Sequence, residues 1–313
     1  MAFLVALAIA LVATPLAASA AKHLGIVDRP GPHKVQRVPV PYLGGVAVFV
    51  AVGLTIAPSR PRLLLPLALA LALGAADDVR PLPPGVRLVC QLGVGLAAGW
   101  AAPAPTRLGF AVTAVVAVGM LNAVNLLDGL DGLAAGVALA ATVGFAVLSD
   151  EARVPALALA GALAGFLVFN RPPARIYLGD GGAYVVGTSL ALLAALALDD
   201  RRSVAAWAAV PLLLAVPALD TAVAVVRRWR AGTPLLSGDR GHVYDQLVDR
   251  GRSRVTVVIG LIAIQALLAL IAVGVVHLSG GWAIAASIAC AAGLASIVGV
   301  GGFVSTAGAG GTS

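Results

Sequence analysis

The sequence predicts an all-α, polytopic integral membrane protein, and three observations carry that prediction. Mean hydropathy is +1.00, with 60% of the 313 residues hydrophobic and only 11% charged. Eleven apolar stretches of 15–23 residues follow one another along the chain, and an α-helix needs about 20 such residues to cross a hydrocarbon core roughly 30 Å thick. No segment shows the polar–apolar alternation of a transmembrane β-strand. The stretches lie at 2–21, 42–58, 62–76, 86–102, 107–122, 131–148, 154–169, 182–198, 204–226, 255–277 and 281–303. Residues 1–303 read as one membrane domain, and 304–313 as a disordered tail without bulk or periodicity. No internal repeat of the transporter kind is visible.

The first stretch ends in Ala18-Ser19-Ala20, which mimics a signal-peptidase site. Basic residues are absent before it, while Lys22, Arg29, Lys34 and Arg37 follow it. That flank favours an uncleaved helix with its N-terminus outside. Eleven spans then put the C-terminus in the cytoplasm. Fifteen of the 21 basic residues fall in the loops so assigned to the cytoplasm and six on the other side, a clear positive-inside asymmetry. Both cysteines, Cys90 and Cys290, lie within apolar spans and read as packing residues, not as a disulfide or metal pair.

Ten of the fourteen acids lie on or near the same cytoplasmic side. Asp77, Asp128, Asp131 and Asp220 abut or interrupt apolar helix, where a carboxylate is costly and where convergent carboxylates repel one another. A divalent cation relieves both penalties; arginines or a water-filled cleft would also do so.

Five segments carry the chemistry. In "AADDVRPLPPGVRLVCQ" (75–91), Asp77 and Asp78 close a helix before a proline-rich loop, a setting for Mg2+, for a positioned nucleophile, or for an ordinary acidic helix end. In "NAVNLLDGLDGLAAG" (122–136), Asn122, Asn125, Asp128 and Asp131 recur every third residue. Residues three apart share a helix face, so the stripe suits a ligand or, equally, capping and interhelical hydrogen bonding. "RIYLGDGGAYVVG" (175–187) sets Asp180 in a glycine turn before a span, where free N–H groups beside a carboxylate suit a phosphate and its metal. Residues 217–251 hold Asp220 on a span, then His242 and an arginine-rich loop that includes Arg240, a receptacle for a polyanion or a topology signal alone. Residues 25–45 are proline-rich and basic, and either lie on anionic headgroups or shape a ligand entry.

Taken in order, these segments resemble the polyprenyl-phosphate N-acetylhexosamine-1-phosphate transferases (glycosyltransferase family 4). The motifs are Asp28, Pro30, Lys34 and Gly44-Gly45; Asp77-Asp78 with Leu82, Pro84 and Gln91; Asn122, Asn125, Asp128 and Asp131-Gly132; Gly179-Asp180 and Gly182; and Pro217, Asp220-Thr221, Asp239-Arg240 and His242. The resemblance implies transfer of a HexNAc-1-phosphate, GlcNAc-1-phosphate foremost, from a UDP-N-acetylhexosamine to a polyprenyl phosphate with release of UMP. It implies Mg2+, with Mn2+ as the alternative, at the cytoplasmic face of the plasma (inner) membrane, as the initiating step of a cell-envelope glycan. Asp180 is then the foremost metal ligand, joined by Asp128. Asp77 or Asp78 serves the lipid phosphate, and Asp131 supports metal and nucleotide binding. His242 is implied to hold pyrophosphate or sugar, while Lys34, Asn122, Asn125, Asp220 and Arg240 bind substrate. The expected partners are the two substrates, the membrane and a second copy of the chain; nucleic acid is not among them.

The chain departs from the family pattern at Pro81, where some members place a third acid, and at Arg87, His33 and Gln36. The stretch "HVYDQL" keeps His242 but has Tyr244 and Asp245 where the phospho-MurNAc-pentapeptide translocases carry further histidines. The GlcNAc-1-phosphate branch is therefore favoured over that translocase. A carboxylate-lined transporter would spread its acids along a path near the midplane, whereas these gather at one surface. A CDP-alcohol phosphatidyltransferase would need an arginine where Gly136 stands.

Overall fold

In a computed structural model of the chain, which describes residues 1–30, 38–103, 106–234 and 240–304, the architecture is a helical bundle. The helices are α1 (Ala2–Leu24), α2 (Gly44–Ile56), α3 (Leu64–Val79), α4 (Pro84–Ala101), α5 (Arg107–Leu127), α6 (Leu133–Leu148) and α7 (Asp150–Asn170). They continue as α8 (Gly179–Arg201), α9 (Val204–Leu213), α10 (Ala215–Arg230), α11 (Val243–Asp249), α12 (Arg254–Val275) and α13 (Gly280–Val300). Six of them (α1, α5, α7, α8, α12 and α13) are each long and apolar enough to cross a membrane, and α9 with α10 makes a seventh if that bent pair is one span. The protein is an all-α, multi-pass membrane protein. Each of the eleven predicted stretches coincides with one helix, except 204–226, which is two.

Helix α8 is the axis of the bundle, with 89% of its apolar window buried. It packs on α2, α3, α5 and α7. Small residues permit this closeness. A Cβ on Gly45 would strike the backbone of Gly182, and one on Gly74 the backbone of Asp180 and Gly181. Without a hydrophobic drive between helices in lipid, such backbone approach is what gains dispersion energy. The 37 glycines therefore belong to the packing as much as to the turns.

The predicted span 204–226 breaks at Leu214, where α9 and α10 meet at 70°. Pro217 has no N–H to give Leu213, so the ladder fails there. Gln265 of α12, fully buried, repairs it. Its Nε2 donates to the carbonyls of Leu212 and Leu213 at 3.1 and 3.2 Å, and its Oε1 accepts the Val216 N–H at 3.1 Å. One amide thus replaces the missing helical bonds in a region where orphaned backbone groups cost several kcal/mol each.

The 25–45 segment forms a two-residue antiparallel pair, β1 (Val27–Asp28) with β2 (Val40–Pro41). Its exit is sewn to the α7–α8 loop. Tyr177 N–H donates to the Pro41 carbonyl, Gly44 N–H to Tyr177, and Gly45 N–H to Leu178. These bonds hold the β-pair against the start of α8. Lys34, His33, Gln36, Asp239 and most of the predicted tail lie outside the described residues.

Candidate functional site

One end of the bundle holds a cavity of about 1040 Å³. It is built where α3, α5 and α7 end and α6, α8 and α12 begin, with Asp28 and Tyr42 beside the β-pair and Asp245 and Val248 of α11 at its sides. Seven carboxylates line it: Asp28, Asp77, Asp78, Asp128, Asp131, Asp180 and Asp245. Among the described residues, Arg240 and Arg254 are the basic residues of the lining. Such an excess of anionic oxygen in a half-enclosed space calls for a cation.

The carboxylates divide by what already holds them. Asp78 accepts the backbone N–H groups of Asp180 and Gly181, at 2.9 and 3.2 Å. A residue of α3 thus caps the first turn of α8 and fixes where Asp180 stands. Gly179 enters that turn at φ +73, and a Cβ there would press on the Asp78 carboxylate, so the position requires glycine. Asp77 is buried. It accepts from Leu82 N–H at 2.7 Å and from Arg87 and the Tyr184 hydroxyl at 3.4 Å each. Asp131 accepts the Ala174 N–H at 2.9 Å, and beside it the Gly132 N–H donates to Asn170.

Asp128 has no such partner. At the C-cap of α5, it is half-buried and opens onto the cavity, and no donor among the described residues reaches its carboxylate. Burial, and then the charges of Asp180, Asp78 and Asp131, push its pKa well above the ordinary carboxylate range. Those are the surroundings of a carboxylate built to meet a positive ion.

Among the described residues no three His, Cys, Asp or Glu side chains converge as a ready-made cage. Mg2+ does not need one: it keeps several waters and takes one or two carboxylates plus substrate phosphate. Asp128, with Asp180 first among the charges that act on it, fits that mode.

Two tyrosines edge the cavity, Tyr42 and Tyr177, with ring centroids 5.9 Å apart. Burial, then Asp28 and Asp78, raises the Tyr42 phenol; burial, then Asp131 and Asp28, pushes Tyr177 up to about 12. Both stay neutral donors at any working pH.

Glycosyl transferase family 4 is the family whose model matches the chain, over residues 61–198, a stretch containing five of the seven cavity acids. Over that stretch the chain is similar to the family. Among its relatives, the probable undecaprenyl-phosphate N-acetylglucosaminyl 1-phosphate transferase of Bacillus subtilis is 29% identical across 80% of this chain and 78% of its own. The decaprenyl-phosphate N-acetylglucosaminephosphotransferase of Mycobacterium tuberculosis is 26% identical across 76% and 73%. A phospho-N-acetylmuramoyl-pentapeptide-transferase of Synechococcus is 34% identical over a shorter reach, 55% and 58%.

Of the residues predicted for the family 4 site, the structure brings Asp77, Asp78, Asn125, Asp128, Asp131, Asp180 and Arg240 to one cavity. Three others stand behind its wall. Asn122 trades reciprocal amide bonds with Gln91 of α4 at 3.0 and 3.1 Å, the interhelical alternative the stripe left open. Asp220 and His242 are buried together, Oδ2 to Nδ1 at 2.7 Å, and Asp220 also accepts the Val243 N–H at 2.7 Å. That pair locks α11 to α10. His242 stacks on Tyr244, whose hydroxyl donates to the Leu126 carbonyl. Sequence reasoning passed over Tyr42, Tyr177, Asn170, Asp245 and Arg254 as lining residues. Only Asp245 carried a signal, as an acid one turn from His242.

Proposed function

We propose that this protein transfers GlcNAc-1-phosphate from UDP-GlcNAc to a polyprenyl phosphate, releasing UMP, at the cytoplasmic face of the plasma membrane. The relatives named above support the acceptor and the sugar. The observation that carries the reading onto this chain is Asp128: a carboxylate without a donor, among other carboxylates, at one end of a membrane bundle.

Eleven crossings with the N-terminus outside is the topology that accompanies this reading. It is supported by the alternation of helix directions around the cavity and by the asymmetry of basic residues. A lipid phosphate held at the interface and a nucleotide arriving from the cytosol then meet where the acids stand.

Asp128 and Asp180 would hold the divalent metal, which when bound neutralises charge on the pyrophosphate and on departing UMP. The chain's own residues supply position. Asp78 fixes the α8 turn that presents Asp180, and Asp77 is held by Leu82, Arg87 and Tyr184. Arg240 and Arg254 offer guanidinium donors to phosphate oxygens. A phosphate monoester has a second pKa near about 6, so the lipid phosphate is largely dianionic at neutral pH and needs no general base. Its oxygen forms the new P–O bond at the sugar-bearing phosphorus, and the bond to the bridging oxygen breaks with its electron pair leaving on UMP.

The test supplies purified protein, Mg2+, a polyprenyl phosphate and a panel of UDP-N-acetylhexosamines, and measures UMP. UMP from UDP-GlcNAc, abolished by chelator, is expected. No UMP from any donor sinks the reading.

A further inference from the structure

We propose that Phe303, beyond the end of α13, is a positioning residue of the site: it clamps α11 and, through it, the cavity wall. The inference rests on the transferase reading for its kinetic consequences and on geometry for the clamp itself.

Helix α13 packs little by its body, since only 11% of its apolar window is buried. Its end behaves differently. After Val300 the chain turns through Gly301 and Gly302, the latter at φ +66, and drives Phe303 to 6% exposure. The ring enters a small apolar cluster, separate from the main core, with Leu219 and Val223 of α10, Val243 and Leu247 of α11, and Val298. Two polar ties reinforce it. Gln246 Nε2 of α11 donates to the Phe303 carbonyl and to the Gly241 carbonyl, 2.9 Å each. The Arg250 guanidinium lies over the Phe303 ring, 4.2 Å from its centroid, a cation–π contact.

The placement matters because α11 is only seven residues long and cannot hold itself in place as an isolated helix. Its front face supplies Asp245 and Val248 to the cavity, and Arg240 precedes it. One edge is held by the Asp220–His242 pair and Tyr244. Phe303 fills the rear, touching both α10 and α11 where Asp220 bonds the Val243 N–H. Removing the ring empties the rear of α11, leaving it to the Asp220–His242 pair, Tyr244, the Gln246 bond to the residue 303 carbonyl and its packing on α12.

The experiment compares full-length wild type, Phe303→Ala and Phe303→Leu in membranes. It records kcat and KM for UMP release per folded enzyme, and the rate of tryptic cleavage at Arg250 and Arg252. Phe303→Ala is expected to lower kcat tenfold or more, with the KM for polyprenyl phosphate moving less than threefold. The same variant is expected to speed cleavage at least fivefold. Phe303→Leu, which refills the apolar volume, is expected to return both to within threefold of wild type. A purely structural role would reduce the folded fraction and leave kcat per folded enzyme unmoved. That outcome, or equal impairment by Ala and Leu, overturns the proposal. If wild type itself yields no UMP, the transferase reading fails and the cleavage rates alone judge the clamp: faster cleavage in Phe303→Ala upholds it, an unchanged rate overturns it.

Discussion

The carboxylate of Asp78 holds the backbone N–H of Asp180 at 2.9 Å, so the acid at the start of α8 is aimed by an acid at the end of α3, 102 residues earlier. Replacing Asp78 by Ala removes a charged cap from the bundle's central helix. An N-cap loss costs about 1 kcal/mol and the helix dipole adds up to about 1 more. Thermal unfolding in lipid is expected to show that loss, and UMP release is expected to fall by about 10²-fold as Asp180 shifts, in line with the cost of small misplacements.

This division of labour shows what the sequence could and could not disclose. The spans at 107–122, 154–169 and 182–198 were legible because apolar runs of that length have few other uses. The break at 214 was not, because the amide that makes it tolerable sits on Gln265, fifty residues away. Spacing placed Asn122, Asn125, Asp128 and Asp131 on one stripe, but only geometry separates them: Asn122 turns to Gln91, Asp131 to Ala174, and Asp128 to no donor among the described residues. Asp220 and His242 stood out separately, as an acid on a span and a histidine in a basic loop. That they bond each other behind the wall depends on the packing of α10 against α11.

Gln265→Leu tests the repair of the broken span. It leaves the Val216 N–H and the Leu212 and Leu213 carbonyls without their partner. A buried orphan costs about 1–3 kcal/mol, so a loss of ~2 kcal/mol or more is expected in thermal or denaturant unfolding. Gln265→Glu keeps the acceptor for Val216 and is expected to remain impaired, because its donors are gone.

Gly129→Ala places a methyl group against the Tyr244 hydroxyl and ring. The Tyr244–Leu126 bond cannot then persist. Overpacking of this kind costs about 1–3 kcal/mol. Tyr244→Phe is not expected to relieve it, since the ring carbons also clash. Combined with Tyr244→Ala, the two losses are expected to be less than additive in a double-mutant cycle.

Stability should depend on pH through Asp128. Burial and the neighbouring acids raise its folded pKa, while in the unfolded chain an Asp ionises near about 3.9. Between those values the folded state holds the extra proton, so raising pH through that window destabilises the metal-free protein. Melting temperature in chelator is expected to fall across it, and Asp128→Asn to flatten the fall. Added Mg2+ displaces the proton, so its stabilising effect is expected to grow with pH.

The most direct measurement is turnover by Asp128→Asn, with inserted protein quantified and its melting temperature recorded with and without Mg2+. The account predicts a correctly folded protein, no less stable than wild type in chelator, that has lost both the Mg2+-induced stabilisation and at least 10³-fold in UMP release. Wild-type turnover, or an undiminished response to Mg2+, would contradict it.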